Sequence, residues 1–182
     1  EESSVILGLA VRENLGLQDA HLEDNQEDRL KIAMVIRKYS PRVLILQNSK
    51  SRHPDHAVGH AMVRGAVFLS GLKKLEGEGE PKRPFKILTC NAYIEHVQKP
   101  EFVVDTTDQF ERKIKAISCY ESQFTGRTDS GELFGNGLPL LELIRNQDRH
   151  YGSWIRKMYA EPFSTRETVE VDDIVAMSVK SI

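Results

Sequence analysis

The sequence predicts an α/β fold in which a mainly parallel sheet is flanked by helices. Helical and strand-like segments alternate along the chain, the pattern of a sheet covered by helices. The run RVLILQ at 42–47 is almost continuously apolar and lies between two helical segments, as a strand buried on both faces would. His53, Asp55, His56 and His60 crowd together where that strand gives way to a helix. In open α/β sheets, ligands bind at the carboxyl ends of strands.

The elements follow in order. EESSVILGL reads as the last turns of a helix closed by Gly8, a residue that takes the left-handed C-cap conformation cheaply. AVRENLGL at 10–17 is a short strand candidate, leading to a loop at Gln18 and Asp19. The segment 25–40 has apolar residues at helical spacing (Leu30, Ile32, Ala33, Ile36, Tyr39), with acids early and bases late as the helix dipole favours. Pro41 ends it, and the 42–47 strand follows. A helix from the histidine segment to Leu72 carries Val58, Met62, Ala66, Val67 and Leu69 on its apolar side. KLEGEGEPKRP is a Gly, Glu and Pro surface loop. FKILTCNAYI and the shorter PEFVVDTT are strand candidates, and 108–124 reads as a helix capped by Asp108. A Gly-rich loop at 125–137 precedes a helix from Pro139 to Met158, then YAEPF and a short tail.

A chain of 182 residues suits one domain with a real core, and 40% hydrophobic with 29% charged residues is ordinary for a folded protein. A net charge of −2 without a basic run gives no footprint for nucleic acid. No apolar stretch approaches the roughly 20 residues that span a bilayer, so no membrane partner is expected. Cys90 and Cys119 make neither a disulfide framework nor a zinc-ribbon spacing, and a reducing cytoplasm is the expected location. No G-x-G-x-x-G follows a strand, which leaves a nucleotide-binding reading weak.

Imidazole is the commonest protein ligand for zinc and titrates near neutral pH. His53 and His56, three apart with a Pro between, can aim two rings into one cleft, and Asp55 can orient one of them. Two imidazoles alone do not fill a zinc site. His60 stands one turn beyond His56, a relation chance also produces, and His21, His96 and His150 read as surface residues.

RHPDHAVGHAMVRGAVF, preceded by YSPRVLILQ, resembles the second motif of the LmbE-like (PIG-L) zinc N-deacetylases. NLGLQDAHL looks like that family's Leu-Gly or Leu-Pro-Asp loop, with Gln18 where Pro is usual. CYESQF at 119–124 and YAEPF at 159–163 resemble the branch that deacetylates N-acetylglucosaminyl malate on the way to bacillithiol. The resemblance runs from Glu1 to about Ile174.

It implies a Rossmann-like single domain, 1–182, truncated at its N-terminus. Family members begin with a strand and a His-Pro-Asp-Asp motif, which supplies a His and an Asp to the metal and another Asp as general base. Both the motif and the first strands would be missing here. The resemblance makes His56 the remaining Zn2+ ligand. His53 would stabilise the oxyanion or protonate the leaving amine, with Asp55 tuning it. Ser51 replaces an acid often seen before the Arg, and Leu138 to Leu140 lie where some members offer a Tyr.

The chemistry agrees. Amide hydrolysis needs an activated water, a charge acceptor for the oxyanion and a proton donor to nitrogen. A metal can supply the first two, and a histidine can supply the third. Arg52, Asp19 and Arg83 are the candidates for binding a small N-acetylglucosaminyl substrate, since an Arg fork suits a malate or phosphate group. Tyr120, Glu121 and Gln123 are expected to act structurally, as in the subunit packing of a homo-oligomer. The rival expectation is a truncated or degenerate module of the same fold that binds sugar or assembles without turnover.

Overall fold

The computed structural model describes residues 1–92, 99–120 and 139–179. His96, Glu121, Gln123, the end of CYESQF and Leu138 lie outside them. The elements are α1 (Glu2–Leu7), α2 (Gln26–Tyr39), β1 (Val43–Leu46), α3 (Pro54–Ser70), β2 (Lys86–Cys90), β3 (Phe102–Asp105), α4 (Phe110–Ser118), α5 (Leu140–Trp154) and β4 (Ala160–Ser164). The strands are ordered β1-β2-β4-β3. β1 and β2 run parallel, whereas β2 and β4 are antiparallel, so the α/β expectation holds with a mixed sheet.

The described residues form two compact units: Leu17–Phe102 with Pro162–Ile182, and Glu1–Gly16 with Val103–Glu161. In the first, Ala33 and Ile36 of α2 pack on Ala66 and Val67 of α3, with Leu44 of β1 and Ile87 of β2 against them. Asn25 caps α2, its side-chain oxygen accepting the Asp28 N–H at 2.9 Å. Buried Arg37 donates to the carbonyls of Ser70 (2.9 Å), Leu72 (2.7 Å) and Leu75 (3.0 Å). These bonds hold the end of α3 and the start of the Gly-Glu loop, satisfying carbonyls a helix end leaves open. β1 ends the sheet on one side. Its Val43 and Ile45 are exposed, Ile45 at 57%, so the expected burial on both faces does not hold: only the face of Leu44 and Leu46 is covered by the helices.

In the second unit, Phe110 stacks on Tyr159 with ring centroids 3.5 Å apart, and Lys113 bridges buried Asp148 (2.7 Å) and Glu161. Gly8 closes α1 at φ 67, as expected from the sequence.

Three local expectations are corrected. Residues 10–17 form no strand; Gly16 turns there at φ 67. Asp108 does not cap α4, because it lies inside a 3-10 turn at Thr107–Gln109, and the Asp105 carboxylate accepts the Thr107 N–H at 3.0 Å instead. α4 ends at Ser118, while YAEPF supplies most of β4.

Candidate functional site

β1 delivers the chain to the motif through Asn48, whose side-chain oxygen accepts the Lys50 N–H at 2.7 Å. His53 is then the N-cap of α3, in extended geometry, with Pro54 at the first helical position where a missing N–H costs nothing. Its Nδ1 accepts the Asp55 N–H at 3.3 Å. A ring nitrogen that accepts carries no proton, so in the neutral ring the proton sits on Nε2 and makes that atom a donor.

His56 has the opposite arrangement open to it. Its Nδ1 lies 2.6 Å from the Ser51 hydroxyl oxygen, which can accept Nδ1–H and leave Nε2 with a free lone pair. Ligating histidines characteristically donate their other N–H in this way. Burial, followed by the nearby His53, lowers the His56 pKa from its ordinary 6.5, while Asp55 pulls the other way. The ring is therefore held neutral, the form that ligates. The two rings stack with centroids 5.2 Å apart.

Asp55 is buried, and each of its oxygens accepts a backbone N–H: Ala20 at 2.7 Å and Leu22 at 3.3 Å. The carboxylate on α3 thereby fastens the 18–22 loop, and this loop presents exposed Asp19. Ligand atoms of Asp19, His53 and Asp55 all lie within 4.8 Å of one another. Two carboxylates and an imidazole are a donor set suited to a divalent cation. The residues present fit such an ion.

Of the residues singled out from sequence, the fold thus brings Asp19, His53, Asp55 and His56 to one end of α3. Arg52 is exposed beside them in the chain. Arg83 is elsewhere: it precedes β2, stacks over Phe68 at 5.2 Å and donates to the Phe68 carbonyl at 3.2 Å. That is the amino end of the parallel pair, opposite the motif. His21 is exposed, and His150 packs edge-on against Tyr151 and Trp154. Sequence reasoning missed Ser51 as the partner of His56; its signal was a hydroxyl five positions before a candidate ligand.

The conserved protein TT1542 of Thermus thermophilus superposes with a TM-score of 0.79 over 93% of this chain and 72% of its own, at 33% identity. The chain belongs to the family of TT1542. Diacetylchitobiose deacetylase of Thermococcus kodakarensis is 30% identical over 166 residues, 88% of this chain and 58% of that protein. The N,N'-diacetylchitobiose deacetylase of Pyrococcus horikoshii, solved with an inhibitor, matches at 26% identity and a TM-score of 0.70, over 90% of this chain and 60% of that one. The chain therefore spans a little under two thirds of the deacetylases it matches. It is their homologue and shares the LmbE-like α/β fold. No family model matches the sequence. No helix among the described residues is long and apolar enough to cross a membrane.

Proposed function

We propose that the protein is a metal-dependent N-deacetylase acting on an N-acetylglucosaminyl compound, with N-acetylglucosaminyl malate of bacillithiol synthesis as the specific substrate. The complementary hydrogen bonding of His53 and His56 carries the reading. His56, neutral and with Nδ1 turned to Ser51, offers Nε2 as a ligand. His53, with Nδ1 accepting from the backbone, offers Nε2–H to an oxyanion or to the departing amine. A bound Zn2+ would lower the pKa of a water and polarise the acetyl carbonyl. Asp55 positions rather than reacts, since its oxygens are engaged by the 18–22 loop, and Asp19 and Arg52 lie where a substrate's polar groups would be met. The deacetylase relatives act on acetylated amino sugars by name, which supports the substrate class.

A second arrangement is favoured by the proximity of Asp19, His53 and Asp55, which would hold the ion themselves. In it the ligating nitrogen of His53 must carry no proton. Either Nδ1 turns from the Asp55 N–H to the ion or the proton moves from Nε2 to Nδ1, and in both cases the bond from the Asp55 N–H is given up.

The test is amine release by the full-length protein from N-acetylglucosaminyl malate and from N,N'-diacetylchitobiose, with and without chelator. Chelator-sensitive turnover of the malate glycoside is expected. Turnover of diacetylchitobiose alone removes the malate assignment. Activity on neither, with a folded and metal-loaded protein, leaves the rival reading of a sugar-binding or assembly module.

A further inference from the structure

We infer that Asn91, the residue after β2, is a positioning residue that sets the Ser51 hydroxyl against His56. Its consequence for metal binding rests on the proposed role of His56, whereas its effect on the ring of His56 does not.

Three strand ends meet at Asn91. Its side-chain oxygen accepts from the Asn48 amide, just beyond β1, at 2.8 Å, and from the Ser164 hydroxyl, at the end of β4, at 3.2 Å. Its own N–H donates to the Pro162 carbonyl at 2.9 Å. Asn91 and Asn48 are both buried, and all these residues belong to one compact unit. A single backbone donor orients the two amides. The Lys50 N–H can only donate, so the side-chain oxygen of Asn48 faces it at 2.7 Å. The nitrogen of Asn48 then faces Asn91, which must present its oxygen.

Asn48 is thereby gripped at both ends of its amide, and the turn to Ser51 closes around it. The Lys50 N–H bonds its side chain, and the Ser51 N–H donates to its carbonyl at 3.4 Å. That turn brings the Ser51 hydroxyl to 2.6 Å from Nδ1 of His56. Without Asn91, the buried nitrogen of Asn48 has no acceptor, a costly condition that swings the amide toward water. The turn is released with it. His56 then loses the acceptor that selects Nδ1–H, and its proton redistributes to Nε2, the atom a metal would need bare.

Ring-nitrogen NMR of the metal-free, full-length protein, well above the ordinary histidine pKa of 6.5, reads the position of that proton. In the unaltered protein His56 is expected to carry it on Nδ1. Asn91→Ala and Ser51→Ala should each move it toward Nε2. His60, whose Nδ1 lies 2.9 Å from the Gln47 carbonyl oxygen, is the internal control and should not change. Asn48→Ala removes the middle of the chain of bonds, should shift His56 in the same way, and covers the case in which Asn91→Ala does not fold. In competition with a chromogenic chelator, Asn91→Ala should weaken zinc about tenfold, as loss of a group supporting a ligand does. In the Ser51→Ala background the same change should cost nothing more, since two changes that act through one contact do not add. An unshifted His56, a shift shared by His60, or a zinc loss that adds in full to that of Ser51→Ala would each overturn the role of Asn91. Zinc affinity unchanged in His56→Ala would sink the metal reading alone, and the shift of the His56 proton would still decide for or against Asn91.

Discussion

Asp55 and Ala20, 35 positions apart, are joined by a 2.7 Å hydrogen bond from the Ala20 N–H to Oδ2 of the buried carboxylate. Ala20 stands at φ 61, in the left-handed region that costs a residue with a side chain about 1–2 kcal/mol. The helix that carries the histidines therefore also imposes the loop that carries Asp19.

Asp55→Ala leaves two backbone donors without an acceptor and should lower stability by about 1–3 kcal/mol in a denaturant titration. Ala20→Gly, which accepts the same dihedral freely, should leave stability unchanged or raise it by up to about 1 kcal/mol. A loss on Ala20→Gly as large as that on Asp55→Ala would mean the loop is not held as described.

His53 and His56 should separate by measurement. His56→Ala is expected to strip the metal and abolish turnover, whereas His53→Ala should retain the ion and lose about 10²–10⁴-fold in rate. Metal analysis beside kcat decides. Loss of metal in the His53 variant, with retention in the His56 variant, would give the ion to Asp19, His53 and Asp55.

Ser51→Ala removes the oxygen that orients His56. Metal affinity should fall about 10–100-fold, the usual effect of removing the group behind a ligand, with the fold intact. Competition with a chromogenic chelator reads it. Unchanged affinity would show that His56 does not depend on Ser51.

The lowered pKa of His56 makes stability depend on pH. The folded chain holds that proton less readily than the unfolded chain, whose value is near 6.5. The stability linked to it is present in full above 6.5 and is lost as pH falls from there through the folded value. In metal-free protein the melting temperature should drop between pH 7 and pH 5, and His56→Asn should flatten part of that slope. An identical slope in the variant would assign the dependence to other groups.

Gly152 of α5 faces the turn that leads to β4. A Cβ there would lie 2.7 Å from the Lys157 carbonyl oxygen, a contact that backbone cannot relieve without moving. Gly152→Ala should destabilise by about 1–3 kcal/mol in thermal or chemical unfolding.

Periodicity and caps made most elements legible. α2 and α3 could be read from their apolar spacing, because burial on one stripe writes itself into composition. β1 could be read from its apolar run, although only Leu44 and Leu46 are covered and Val43 and Ile45 stay exposed. The 10–17 candidate failed because alternation marks a strand only when a partner is there to pair, and Gly16 turns the chain instead. β4 was hidden by Pro162, which reads as a break and yet is buried inside the sheet with its carbonyl accepting the Asn91 N–H at 2.9 Å. At the site, residue types and strand position marked His53, Asp55 and His56. The bond from the 18–22 loop to Asp55 was invisible, since nothing local to either segment encodes a contact over 35 positions. Arg83 was picked for its charge alone, and charge does not say which end of a sheet a loop reaches.

The three carbonyls gripped by Arg37 bear on how the molecule could be engineered. With the far end of α3 bolted to α2 through Leu75, and the returning chain tied to Ser70 through Lys82, the 76–81 segment between those two anchors has no part in holding the histidines in place. Its Gly77 and Gly79 are both at positive φ and lie close against Met34 and Arg37 of α2, so an insertion belongs between residues that keep those two contacts. A reporter peptide spliced into that segment should leave the opposite tip of α3 undisturbed, giving a handle for immobilising the protein with its histidines facing outward.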